Sequence, residues 1–166
     1  APRLLFVSFE LFPMTKTQLL RALGAFPELD MLSAELADVW DPVPGWNRMS
    51  VSGADLLLGI GDARELITQL TTADLTSPTD SVAVPPIDAW YLDGFSPAKN
   101  PELWDLALLQ KVAGLTSGDG TLATYTAAGW VRRNLQSAGF VVDKISGFAG
   151  KREMVVGQKK VDPNAN

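Results

Sequence analysis

The run LLFVSF at residues 4–9 is apolar but for one serine and closes on Glu10, which predicts a buried parallel strand. From Thr15 to about Ala37 apolar residues recur at mixed helical spacings: Leu19, Leu20 and Leu23, then Leu29, Leu32 and Leu36. Pro27 interrupts this stretch and predicts two short helices rather than one. WDPVPGWN at 40–47, with two prolines and a glycine, predicts a loop. Met49–Ser52 and Asp55–Ile60 then read as strands around a turn at Gly53. Gly61-Asp62-Ala63 leaves the second of these, Arg64 to Leu70 predicts a helix, and the polar stretch 72–86 predicts a surface loop.

IDAWYLD at 87–93 is the next apolar strand, followed by the irregular segment DGFSPAKNPELW. Pro101 opens a helix expected to reach about Leu115, because proline is tolerated in a first turn. A turn at Gly118–Gly120 precedes a strand at 120–126, and a helix follows from Trp130 to Ala138 with Gly139 as its cap. FVVDKI (140–145) and REMVVGQ (152–158) predict two strands joined around Gly147–Gly150, and the tail VDPNAN is expected to fray. Strands separated by helices indicate an α/β sheet, and a direct connection between the last two indicates an antiparallel pair. Sheets of this kind bind ligands at the carboxyl ends of their strands. The residues to weigh are therefore Glu10, Gly61-Asp62-Ala63 and Asp93-Gly94-Phe95.

Composition narrows the chemistry. The 166 residues suit one domain and hold no cysteine and no histidine, so thiolates and imidazoles are excluded as nucleophiles, bases or metal ligands. Any reaction must use carboxylates, lysines, hydroxyls, backbone groups or a cofactor. No stretch of 18 apolar residues occurs, and the opening segment is too short for a signal peptide. The net charge of −5 is unevenly spread: residues 1–93 carry 5 Lys and Arg against 13 Asp and Glu, and residues 94–166 carry 9 against 6. A basic footprint, if there is one, lies in the second half, at Lys99, Arg132-Arg133, Lys144, Lys151-Arg152 and Lys159-Lys160; each taken singly is equally a solvated surface charge. Glu10 is placed to accept from ribose hydroxyls, or is an ordinary exposed strand-end acid. Asp62 is placed to accept from an adenine amino group beside the small residues Gly61 and Ala63, or caps the helix that follows. Asp93 is suited to hold an amine and aim its lone pair, with Phe95, Tyr91 or Trp104 available to stack on a base; alternatively it ends a strand or caps a helix. Trp90 belongs to the core.

Three segments together, IDAWYLDGFSPAKNPELW, GTLATYTAAGWVRRNLQSAGF and GFAGKREMVVG, closely resemble the methyltransferase domain of the MnmC family, the bacterial bifunctional enzymes of 5-methylaminomethyl-2-thiouridine biosynthesis. VSFELFP (7–13) and LGIGDARELITQL (58–70) resemble it too, in the expected order. The resemblance implies a class I S-adenosylmethionine methyltransferase fold. This is a Rossmann-like α/β sheet, mostly parallel, with an antiparallel C-terminal strand pair. It implies a single methyltransferase domain over 1–166, incomplete at its N-terminus, because the first strand and its glycine-rich turn would lie ahead of Ala1. S-adenosylmethionine is the implied donor, with Glu10, Gly61, Asp62, Ala63, Asp93 and Gly94 around it and Asp93 as the catalytic acid. The implied acceptor is the 5-aminomethyl group of a tRNA wobble uridine, contacted by Phe95, Lys99, Arg132, Arg133, Lys151 and Arg152. A sulfonium methyl is already electrophilic, so no metal is expected. The setting expected is the cytoplasm, without a membrane, and a flavin-dependent oxidoreductase, fused or separate, is expected in the same pathway. Other readings are a nicotinamide-dependent oxidoreductase, which lacks its glycine fingerprint and tyrosine–lysine pair here, and an inactive RNA-binding module.

Overall fold

Strand β1 (Leu5–Glu10) forms from the opening apolar run and ends on the predicted acid. The computed structural model describes residues 3–72, 81–94, 96–147 and 152–160. Helix α1 (Lys16–Leu23) begins at a capping box: the Thr15 hydroxyl accepts from the Gln18 N–H, and the Gln18 side chain accepts from the Thr15 N–H at 2.8 Å. Pro27 starts a 3-10 turn ahead of α2 (Asp30–Val39), so the split into two helices is observed. The loop expected over 40–47 is shorter than predicted, because β2 runs from Gly45 to Val51. It pairs antiparallel with β3 (Ala54–Ile60) through a two-residue turn in which Ser52 and Gly53 have φ of 46° and 82°. Positive φ at both central residues matches the twist of a tight hairpin.

Within the unit Ala1–Leu66, β3 is central, parallel to β1 and antiparallel to β2. Leu57, Leu58, Gly59 and Ile60 are buried in succession. A strand covered on both faces requires such an unbroken apolar run. Met49, Leu58 and Ile60 pack together with Trp40 and Leu56 against them. Helix α3 is only Ala63–Leu66, and the helix expected to Leu70 gives way to a 3-10 turn and then a strand, because Leu70–Thr71 (β4) pairs in parallel with Val82–Ala83 (β5). The surface loop expected at 72–86 therefore contains a strand; residues 73–80 lie outside the described residues.

The unit Ile67–Asn166 contains a four-stranded sheet in the order β6-β7-β9-β8. Strand β6 (Ile87–Leu92) is parallel to β7 (Thr116–Thr124), which is antiparallel to β9 (Glu153–Lys159), itself antiparallel to β8 (Phe140–Ser146). The expected terminal antiparallel pair is present, with β9 inserted beside β7. Gly118–Gly120 do not form a turn before β7 but lie within it, at a register irregularity opposite Ile87–Ala89. Gly120 is needed there, since a Cβ would lie 2.9 Å from the Ile87 carbonyl oxygen and overlap the Thr116 side chain. The helix expected from Pro101 is interrupted: a 3-10 turn at Pro101–Trp104 ends at Asp105, whose carboxylate caps α4 (Leu106–Leu115) by accepting from the Leu108 N–H at 2.8 Å. Helix α5 (Gly129–Ala138) ends on Gly139 in the left-handed conformation, φ 109°, as expected. Helices α4 and α5 pack together, and the fully buried side chains of this unit include Leu109, Val131, Leu135, Phe140 and Val155. No helix of the described residues is long and apolar enough to cross a membrane.

Candidate active-site residues

Parallel pairing of β1 with β3 places their carboxyl ends side by side. Glu10 lies opposite Ile60, and its carbonyl accepts from the Gly61 N–H at 3.0 Å. The predicted acids Glu10 and Asp62 and the small residues Gly61 and Ala63 thus gather at one edge of the first unit. Gly61 has φ of 146°, a conformation that side chains resist. The Glu10 side chain is exposed and accepts from the Phe12 N–H at 2.9 Å through one oxygen, which orients it. Asp62 accepts from the Arg64 N–H at 2.9 Å and from Arg64 Nε at 3.0 Å, while its carbonyl takes the Leu66 N–H. It therefore caps α3, as one of the two readings required. The Arg64 guanidinium holds its carboxyl below the usual carboxylate range, against a smaller opposing effect of burial. The Asp62 carboxylate is thus fully engaged by Arg64, Oδ1 accepting from its backbone N–H and Nε and Oδ2 from Nε and Nη2. Two carboxylates stand at neighbouring strand ends, the part of such a sheet where ligands are held.

In the second unit, Asp93 follows β6 directly and is exposed. Its N–H turns back to the Tyr91 carbonyl at 3.1 Å, a reversal that projects the carboxylate from the strand end. The next carbonyl, of Gly94, accepts from the Tyr125 hydroxyl at 2.6 Å. Burial first, and the Asp93 charge second, raise the Tyr125 phenol above its ordinary pKa. Tyr125 was not singled out from the sequence; its position just past β7, parallel to β6, was the available signal.

The aromatic residues divide. Tyr91 is 78% exposed and remains open to stack on a base, whereas Trp104 is 1% exposed. Trp104 is thus corrected from a candidate stacking residue to a core residue, its indole packed edge-on against Tyr125 with ring centroids 6.2 Å apart. Trp90, expected in the core, is only half-buried: its indole N–H donates to the Thr116 hydroxyl at 2.9 Å, and the residue lines a concavity over the four-stranded sheet. Phe95 and Lys151 lie outside the described residues.

The basic residues divide as well. Lys99, Arg133, Arg152 and Lys160 are exposed. Arg132 is half-buried, and its Nε has no hydrogen-bond partner among the described residues. Lys144 pairs with Glu153 at 2.7 Å, and Lys159 donates to the Thr116 carbonyl at 2.6 Å, so both have structural work inside the unit. That concavity, of about 710 Å³, lies over one face of the four-stranded sheet, where Ala89, Thr121, Ala123 and Val156 are among its lining; of the sequence-predicted candidates Tyr91, Lys159 and Lys160 line it, and none of the strand-end acids does.

Comparison with known proteins adds identity to this geometry. The chain is 44% identical over 160 residues to the tRNA 5-methylaminomethyl-2-thiouridine biosynthesis bifunctional protein MnmC of Aeromonas hydrophila, a match covering 95% of this chain and 23% of that protein. It is 43% identical over 164 residues to the protein of the same name from Ectopseudomonas mendocina, covering 97% and 23%. The chain thus spans under a quarter of the length of these relatives. Among solved structures it superposes on MnmC2 from Aquifex aeolicus with a TM-score of 0.67 and 25% identity, over 96% of this chain and 45% of that one. That likeness, with the family match that follows, bears out the α/β methyltransferase fold. A family model described as S-adenosyl-L-methionine-dependent methyltransferase matches residues 27–160, from α2 through the last strand, and the protein belongs to that family.

Proposed function

We propose that this chain methylates the aminomethyl nitrogen on a tRNA wobble uridine, taking 5-aminomethyl-2-thiouridine to 5-methylaminomethyl-2-thiouridine in the cytoplasm. The observation that supports this most is the exposed Asp93 carboxylate at the end of β6, in a chain 44% identical over 160 residues to an MnmC relative. S-adenosylmethionine, when bound, supplies a methyl group on a positively charged sulfur. Glu10 would take the ribose hydroxyls and Asp62 the adenine amino group, with Gly61 and Ala63 leaving room for the ligand against the backbone. An alkyl amine has a lysine-like pKa of about 10 and is mostly protonated near neutrality. Asp93 therefore has two tasks: it accepts an N–H so that the lone pair points at the methyl carbon, and it is the nearest acceptor for the proton that the amine must shed. Most of the acceleration comes from holding the reactants in line. Lys99, Arg132, Arg133 and Arg152, with Lys151, would contact phosphates, and Phe95 the base. A flavin-dependent oxidoreductase, fused or separate, would act in the same pathway.

Asp93→Asn in the full-length protein tests the assignment. Methyl transfer to tRNA is expected to fall by about a hundredfold or more, while the dissociation constant for S-adenosylhomocysteine stays within about twofold. Turnover that survives the substitution would remove Asp93 from the reaction.

A further inference from the structure

The Asp93–Gly94 turn is held from two sides. From above, the Tyr125 hydroxyl reaches across 31 residues to donate a 2.6 Å hydrogen bond to the Gly94 carbonyl. The parallel pairing of β6 with β7, Leu92 opposite Thr124, brings both segments out at the same end of the sheet and makes this contact possible. From below, a Cβ added at Gly94 would lie 3.3 Å from Cζ2 of Trp104, so the turn rests directly on the buried indole. Trp104 in turn carries the edge-on ring of Tyr125 and is tied to α5, its carbonyl accepting from Asn134 Nδ2 at 3.0 Å. A half-buried phenol requires a partner for its O–H, and the carbonyl next to the candidate amine-binding acid is the one it takes. A phenol keeps its proton at neutral pH in any case, and burial with the Asp93 charge moves its titration further up.

We propose that Tyr125 is a positioning residue for methyl transfer: its hydroxyl anchors the Gly94 carbonyl and thereby fixes the direction in which the Asp93 carboxylate meets the acceptor amine. This rests on the reading of Asp93 given above. Tyr125 itself touches neither reactant. Loss of the anchor frees the turn by an ångström or so, and misplacement on that scale lowers turnover by about 10- to 100-fold without removing any binding group.

Tyr125→Phe retains the ring and its Trp104 contact and deletes only the O–H. In the full-length protein, kcat for tRNA methylation is expected to fall by about tenfold or more, with KM for tRNA and the dissociation constant for S-adenosylhomocysteine within about twofold and the melting temperature within a few degrees. Asp93→Asn is assayed in parallel. If Asp93→Asn is inactive and Tyr125→Phe turns over normally, the positioning role is wrong and the reading of Asp93 stands. If Asp93→Asn remains active, the reading fails and the positioning role with it. If Tyr125→Phe loses kcat, ligand affinity and melting temperature together, Tyr125 is a general support of the fold and the proposal is overturned.

Discussion

Asp62 caps α3 and pairs with Arg64 within the chain, and in the function proposed above the same carboxylate would take the donor's adenine amino group. The cap makes the acid measurable apart from any ligand. Because its folded-state pKa is depressed, its charge contributes stability that is fully present above the unfolded-state value of about 3.9 and disappears as pH falls through the lower folded value. Asn caps helices as well as Asp, so Asp62→Asn isolates the charge. Urea midpoints of the two proteins are expected to differ by a constant amount from pH 7 to about pH 5 and to converge below about pH 4. A gap that persists unchanged into acid would show that the Arg64 pairing contributes nothing. At this scale the sequence was informative about acids and poor about their partners. Asp93 was legible because it ends an apolar strand. The bond that steadies its turn was not, because Tyr125 is distant in sequence and enters only through strand pairing.

Elements were legible where their signals are local. The proline break before α2 depends on residues within a turn of one another and formed as read, whereas the equally local Thr15–Gln18 capping box was present in the sequence but not read from it. Thr15→Ala removes the hydroxyl that accepts from the Gln18 N–H and is expected to destabilise the protein by about 1 kcal/mol, with Thr15→Ser close to neutral. Chemical denaturation decides this, and equal midpoints for the Ala and Ser variants would exclude a contribution from the cap. Boundaries set by a partner strand were misread. Residues 45–47 look like loop on composition but pair with Gly59 and Ile60 of β3 and Leu58 beside them, and Asn47 holds the preceding bend by donating to the Val43 carbonyl at 2.7 Å. Gly118–Gly120 look like a turn but are a distortion inside β7, where Gly120 approaches Ile87 too closely for a side chain.

Across the whole molecule the acidic first half and basic second half of the chain bear on how it would meet a polyanion. The structure sorts the basic residues that charge counting treats alike. Arg133 and Arg152 are exposed, whereas Lys144 is held by Glu153. For the full-length protein, the slope of log Kd for tRNA against log salt between about 50 and 300 mM KCl is expected to shrink by roughly one unit in Arg133→Ala and in Arg152→Ala. Lys144→Ala should leave the slope as it is. Equal slopes for all four proteins would move the RNA contact off this set.

Periodicity and punctuation along the chain sufficed to name most strands and helices and the acids at strand ends, because an apolar run that stops at a carboxylate is a local fact. Family resemblance lay in the same contiguous segments. Tertiary structure alone decided which strand ends lie together, which lysines were already engaged, that Trp104 is a buried support rather than a stacking surface, and that Tyr125 holds the turn beside Asp93. These follow from pairing between segments tens of residues apart, and complementarity at that range depends on register and packing that no local pattern encodes.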